Sequence, residues 1–600
     1  MTALHRAIFL MVLVALPLLG VIPRPAQANP PKEALMQFAH DYWEHVLKTN
    51  PLSATQLGDH RYDDRLSDIT PEGIATEARW LRDFEKRVAA VDAATLGTED
   101  KITRNALLFE IQSAMAGLTC GFEEWVVDPL GGPQVEFFNI PAYQAITDPA
   151  SGKAMVERWR AMPAYFDQHV ANLKRGLAAG KVSIRAQVER TIAEIDELEK
   201  MPLDEWALVK PGMNAPSSWS SAERTAFSKD MKSAVADGVR PALLRYRDFL
   251  RAEVLPKTRG NDKPGIMHVP GGAECYQSQI LRHTSLALRA EEIHRIGLDE
   301  VSRINDELRL LGKTVLGTDD LEKIHSRLRT DPAMHFKTRD EVAAKAEEAL
   351  RRSEAAMPKW FGILPKASCN VVRMEAHEEK HSTIAYYRQP AVDGSRPGSY
   401  YINTYAPETR PRYEAEALAF HEAVPGHHLQ IAIAQELKDL PEFRKHSGVT
   451  AFVEGWGLYS ERLANEMGLY SGDVDRIGML SYDSWRACRL VVDTGMHAMG
   501  WTRQQAIDYM IANSVLAENN ITNEVDRYIT WPGQALAYKL GQREIFRLRD
   551  KAKQAMGPAF DIKQFHDVVL RDGAVDLGTL GKLVDDWIQT SVAGKQSGGR

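Results

Sequence analysis

Cysteine is scarce in this 600-residue chain. Cys120, Cys275, Cys369 and Cys488 are the whole complement, far apart and without a C-x-x-C pair. A cysteine-built metal site is therefore excluded. A chain of this size does not need disulfides to hold its core, so the four are read as buried thiols or at most one bridge. Long basic runs are also missing, and the formal net charge of -7 is spread along the chain. Phosphate binding needs clustered positive charge, so nucleic acid is not expected as a partner. No G-x-S-x-G elbow is present and no cysteine has an evident activating partner, which argues against serine and cysteine hydrolases. Fixed-period repeats and low-complexity tracts are absent too.

One long apolar run exists, from Ala7 to Ile22, preceded by Arg6 and followed by Arg24-Pro25-Ala26-Gln27-Ala28. It is shorter than the about 20 residues of a spanning helix. Charge, apolar stretch and small-x-small ending predict a secretory signal, residues 1–28, cleaved after Ala28. No lipidation cysteine sits near that site, so no stable membrane anchor is expected after cleavage. The expectation is a periplasmic or secreted protein, with residues 29–600 forming one helical catalytic unit.

What is present is mostly helical pattern. Apolar residues Ile293, Ile296, Val301, Ile304 and Leu308 recur at spacings of three to five, one face of a helix over 290–311. Thr70-Pro71-Glu72 reads as a helix start, threonine capping and proline in the first turn. Similar patterns recur at 33–49, 152–200, 218–253, 338–356, 411–439, 449–467, 473–499 and 530–556. Residues 369–404 break the pattern. Val371-Val372-Arg373-Met374, Thr383-Ile384-Ala385-Tyr386-Tyr387 and Ser399-Tyr400-Tyr401-Ile402-Asn403 are β-branched and aromatic runs, and Asp393 to Gly398 is a turn signal. The fold class expected is mainly α, with a small sheet beside the active-site helix and a substrate cleft. The sheet is either structural or an edge that pairs with an extended peptide.

The chemistry concentrates at His421-Glu422-Ala423-Val424-Pro425-Gly426-His427-His428. In zinc hydrolases two histidines one turn apart supply nitrogen ligands, and a glutamate beside the first is the general base. The usual spacing is H-E-x-x-H, and here two extra residues intervene. On an unbroken helix His421 and His428 would lie roughly 10 Å apart along the axis. Zinc–nitrogen bonds are about 2.0–2.1 Å, so the helix must be interrupted for both to reach one ion. Pro425 has no N–H for the carbonyl of residue 421, and Gly426 tolerates unusual backbone angles. Looping out two residues returns His427 to the one-turn position, with His428 as the alternative. A third ligand is expected from Glu454, placed among Phe452, Val453 and Trp456 where an acid needs a cation. Glu461, two turns on, shares its face and is the alternative third ligand.

The string H-E-A-V-P-G-H-H-L-Q, followed by V-E-G-W-G-L-Y and R-Y-I-T-W-P-G-Q-A-L-A-Y-K-L-G, resembles the domain of unknown function 885 family. The G-A-E-C-Y region near Gly272 and the D-G-S-R-P-G turn extend the likeness over most of the chain. That family is widespread in bacteria, often in exported proteins, and is regarded as metallopeptidases. More distantly, the order of parts is similar to angiotensin-converting enzyme and thimet oligopeptidase, with two histidines and a glutamate on a later helix. The resemblance implies a helical, cleft-containing catalytic unit with its metal site within 369–545.

Amide hydrolysis also needs a donor for the tetrahedral oxyanion. The candidates are His497, Arg527, Tyr528, Tyr538 and Lys539. Tyr528 is expected, because Arg527-Tyr528 resembles the place of the oxyanion tyrosine in the converting-enzyme type, with His497 next. Asp493-Thr494-Gly495-x-His497 could instead orient a ligand. The function expected is a zinc-dependent hydrolase, one ion per chain, cleaving amide bonds of short peptides, with Glu422 activating a zinc-bound water. The alternatives are a zinc hydrolase of non-peptide amides or esters, or a non-catalytic peptide- or metal-binding helical protein.

Overall fold

The computed structural model describes residues 30–374, 379, 383–391, 394 and 396–597. The proposed signal, residues 1–28, and Asp393 and Ser395 of the expected turn lie outside them. The chain is mainly helical, 73% helix and 3% strand. Among the described residues no helix is long and apolar enough to cross a membrane.

Local signals act as expected where they are strong. The Thr70 side chain accepts from the Gly73 N–H and caps the helix Pro71–Ala89. Helix α1 (Ala290–Val315) buries Ile293, Val301, Ile304 and Leu308. That face packs along α6 (Asp473–Ala498), which is buried continuously from Ile477 to His497. A helix covered on all sides must find partners for its polar groups. Asp483 is accordingly gripped by Arg462 and Lys539.

The site lies where the small sheet and several shorter helices meet this axis. Helix α2 (Arg339–Trp360) supports β1 (Cys369–Arg373) and also packs on α3 (Ala415–Glu422). Strands β2 (Ala385–Arg388) and β3 (Gly398–Ile402) complete a sheet of order β1-β3-β2, β3 parallel to β1 and antiparallel to β2. Strand β2 lies at one edge and packs against α3. Helix α4 (His427–Glu436) follows α3 directly, and α5 (Thr450–Glu466) packs across both. Phe420, Leu429, Phe452 and Trp456 fill the space between them with no exposure. Each such side chain contributes about 1.5–3 kcal/mol relative to an exposed one. Helices α7 (Glu518–Thr530) and α8 (Ala537–Met556) close the far side. The Cys120–Cys275 disulfide is formed, while Cys369 and Cys488 are buried thiols.

Candidate metal centre

The helical stretch expected over 411–439 is broken where proline and glycine fall. Helix α3 ends at Glu422 and α4 begins at His427. Between them Ala423 leaves helical geometry at ψ -117° and Gly426 at ψ -130°. The Val424–Pro425 peptide is cis. The His428 N–H reaches back to the Ala423 carbonyl at 3.0 Å, closing the loop. A side chain on residue 426 is impossible, because a Cβ there would lie 1.9 Å from the His421 carbonyl oxygen. The break also frees the Pro425 carbonyl, which accepts from the Trp456 indole at 2.8 Å and the Ser460 hydroxyl at 3.2 Å. Both donors are on α5, so the interruption is tied to the helix that carries the acids.

This loop brings the His421 and His427 rings to 4.6 Å between centroids, nearly perpendicular at 84°. Glu454 completes a group whose candidate ligand atoms all lie within 4.8 Å of one another. Its Oε2 is 3.6 Å from His421 Nε2 and 3.5 Å from His427 Nε2. Tetrahedral zinc with bonds of about 2.0–2.1 Å separates its ligand atoms by about 3.4 Å. The residues therefore fit that ion by type and by spacing.

The second acid on α5 has a different task. Glu461 Oε1 lies 2.8 Å from His421 Nδ1. It accepts the Nδ1 proton and so fixes the ring with Nε2 turned toward Glu454. Seven residues separate Glu454 from Glu461, two helical turns, so one face of α5 presents both. Gly457 between them lets the imidazole lie against the helix, since a Cβ there would sit 2.7 Å from His421 Cε1. Burial disfavours an imidazolium at His421, but hydrogen bonds to Glu454 and Glu461 and the charges of Glu461 and Glu422 outweigh it and carry its pKa up to about 10. Burial raises the Glu454 carboxyl, yet the hydrogen bonds and charges of both histidines hold it well below the usual range. The carboxylates converging on these two imidazoles form a group that could hold a metal cation. His427 Nδ1 is buried with no hydrogen-bond partner among the described residues.

Glu422 is half-buried and stands beside this group without belonging to it. Its charge acts on His421 and on the Tyr400 hydroxyl of β3. His428, the alternative ligand, faces the sheet. Its Nε2–H donates to the Ala367 carbonyl at 3.0 Å, and its Nδ1 accepts from the Tyr387 hydroxyl at 2.9 Å.

The expected oxyanion donors are differently placed. His497 Nδ1 accepts from the Ile266 N–H at 3.1 Å, and its Nε2–H donates to the Tyr528 carbonyl at 2.9 Å. With both nitrogens taken by backbone, His497 is a structural residue. Asp493 holds the Tyr276 hydroxyl at 2.6 Å and the Gly533 N–H, so it does not orient a metal ligand. Lys539 is fully buried on Asp483 and Gln542. The Tyr528 hydroxyl accepts from Trp485 at 3.0 Å and from Arg489 at 2.8 Å. The tyrosine beside the ligand cluster is Tyr538 of α8, whose ring stacks on His421 at 6.5 Å between centroids. Its hydroxyl accepts from Arg527 at 3.4 Å, which leaves its own proton available. The spacing of α5 was a signal that could have assigned Glu461 its role. No local signal separates Tyr538 from Tyr528.

The model of a bacterial family described as "Bacterial protein of unknown function (DUF885)" matches residues 51–584. A solved structure described as "the putative lipoprotein from Colwellia psychrerythraea" has a TM-score of 0.86 at 27% identity, over 93% of this chain and 99% of that one. Another, described as "a putative lipoprotein of unknown function from Shewanella oneidensis", has a TM-score of 0.73 at 19% identity, over 92% and 99% of the two chains. The second likeness is one of fold alone. No curated protein matches the chain.

Proposed function

The chain belongs to the bacterial DUF885 family, and from that footing we propose that it is an exported zinc-dependent hydrolase of amide bonds in short peptides. One observation carries the reading: His421, His427 and Glu454 converge within 4.8 Å across a helix break, with Glu422 adjacent. Three protein ligands and one open position are the pattern of catalytic zinc sites. When bound, zinc supplies a Lewis acid that polarises the scissile carbonyl and acidifies water. Glu422 takes the proton of the attacking water and returns it to the departing amine nitrogen. Tyr538, in place of Tyr528, donates its hydroxyl to the carbonyl oxygen as charge develops there. Export is supported by the description of the Colwellia neighbour as a putative lipoprotein and by the Cys120–Cys275 bridge, a bond of oxidising compartments.

The test is Glu422→Gln, with zinc content measured beside digestion of a peptide library. We expect stoichiometric zinc and turnover lowered by about 10²–10⁴-fold. Full turnover in that variant sinks the mechanism, and loss of zinc with turnover makes Glu422 a ligand. Cleavage of esters but no peptides replaces the substrate class.

A further inference from the structure

Helix α3 is buried along its length except on one face. Of its eight residues, only Ala415, Leu418 and Glu422 keep part of their surface. They are spaced by three and by four, so they stand one above another on a single side. That side looks onto open space from the start of α3 to Glu422. Its first part is a cavity. Ala415 and Leu418 form one wall, Val342 and Ala346 of α2 a second, and Tyr400 and Ile402 of β3 a third. Leu418 and Glu422 are one turn apart, about 6 Å along the axis. Tyr400 joins the cavity to the site as well: it belongs to the lining, and the Glu422 charge acts on its hydroxyl.

What the cavity offers a ligand is mainly hydrocarbon, because its polar members are engaged with the protein. The Asn403 amide donates to the carbonyls of Glu379 and Thr383, and its oxygen accepts from the Tyr405 N–H. Glu414 accepts the Ser481 hydroxyl at 2.6 Å. Burial pushes the Glu414 carboxyl up to about 7, with Ser481 and Arg486 opposing the rise and Glu461 adding to it. Arg410 Nε donates to the Tyr405 carbonyl at 3.3 Å, and burial lowers the guanidinium pKa against the pull of Tyr482 and Glu379. A charged side chain entering here would exchange water for groups already taken, whereas an apolar one loses no hydrogen bond. Size follows from the volume, about 50 Å³. Each water needs about 10–15 Å³, so there is room for about four, as many as the heavy atoms of a leucine side chain.

Resting on the hydrolase reading above, we propose that this cavity is the subsite for an aliphatic side chain of leucine size, carried by a substrate residue flanking the cleaved bond. The reach agrees. An extended residue advances about 3.3–3.6 Å, so one turn of α3 corresponds to less than two residues of substrate. The side chain therefore belongs to a neighbour of the scissile amide. Walls built from helices and a strand hold the size of the cavity fixed, as a selective subsite requires.

The experiment uses the zinc-loaded protein and alanine pentapeptides in which each position in turn carries leucine, phenylalanine, glutamate or lysine. Mass spectrometry reads the cut. At one position beside the cleaved bond we expect leucine to raise kcat/KM at least about tenfold over alanine, and the other three not to. Ala346→Leu fills the cavity from α2 and should bring the leucine-to-alanine ratio to within about threefold, with zinc content and a melt confirming the fold. Val342→Ala enlarges it and should raise phenylalanine relative to leucine by at least about threefold, which decides the matter should Ala346→Leu not fold. A second measurement needs no turnover: saturation-transfer NMR with N-acetyl-leucinamide and N-acetyl-alaninamide, zinc being common to every sample. Leucine methyl signals should appear with wild type and fall at least about threefold with Ala346→Leu. Cleavage without a leucine preference, or with one that survives both substitutions, overturns the subsite and leaves the hydrolase reading standing. Fastest cleavage with glutamate or lysine overturns its apolar character. Leucine methyl saturation that Ala346→Leu removes, with no peptide cut, upholds the aliphatic site and removes the peptidase. Equal saturation in wild type and Ala346→Leu overturns the subsite, even where peptides are cut.

Discussion

Replacing Glu461 by glutamine separates the two acids of α5. The change conserves shape at a residue with no exposure. The amide oxygen can still accept the His421 Nδ1 proton, now as a neutral acceptor, and Arg486 loses a countercharge 3.7 Å away. Weakening a carboxylate that orients a metal-binding histidine typically costs 10–100-fold in affinity, about 1.4–2.7 kcal/mol. Metal that binds only the folded chain stabilises it by RT ln(1 + [L]/Kd). At free zinc about 100-fold above the wild-type Kd, that is about 2.7 kcal/mol for wild type. It falls to about 1.4 kcal/mol after a tenfold loss and about 0.4 kcal/mol after a hundredfold one. Competition with a chromogenic chelator reads the Kd, and melts with and without zinc read the stabilisation. An unchanged Kd refutes the idea that this hydrogen bond tunes His421. Loss as complete as in His421→Ala makes Glu461 a ligand and ends the assignment of Glu454 as third donor.

Three further outcomes follow from the geometry. His427→Ala should lose zinc on dialysis whereas His428→Ala retains most of it, and the reverse pattern in metal analysis would move α4 by one residue. Tyr538→Phe should lower kcat by about 10²–10³-fold, the cost of one oxyanion donor. Tyr528→Phe should act mainly on stability, by about 1–3 kcal/mol, because it strips an acceptor from buried Trp485 and Arg489. Steady-state kinetics with the two melts decides, and a larger kcat loss for Tyr528→Phe would restore the original assignment. Burial pushes the Asp493 carboxyl up to about 7, against the bonds from Tyr276 and Gly533 that lower it. The folded chain then holds a proton that the unfolded chain releases above its pKa of about 3.9, so stability falls as pH rises toward 7 and levels above it. Asp493→Asn should flatten that fall in denaturant titrations between pH 4 and 8, and parallel profiles for the two proteins would contradict it.

Read alone, the sequence determined the helical class, the small sheet and the neighbourhood of the candidate metal centre. Those are local matters. Apolar spacing sets the face of α1, a proline without an N–H stops α3, and a glycine is the residue that fits beside the His421 carbonyl. The histidine pair, Glu422 and the acid-bearing α5 were legible for the same reason: their relation is set by helical turns counted along the chain. Tertiary structure decided the rest. His497 looked chemically available until its Nδ1 met the N–H of Ile266, 231 residues away. Tyr528 and Tyr538 share one sequence neighbourhood, and only the packing of α8 against α5 puts Tyr538 on His421 while Trp485 and Arg489 occupy Tyr528. Likewise Glu461 differs from Glu454 only in which side of an imidazole it meets. A side chain's chemistry is written in its type, but whether its polar atoms remain free is settled by whatever distant backbone or ring is packed against them.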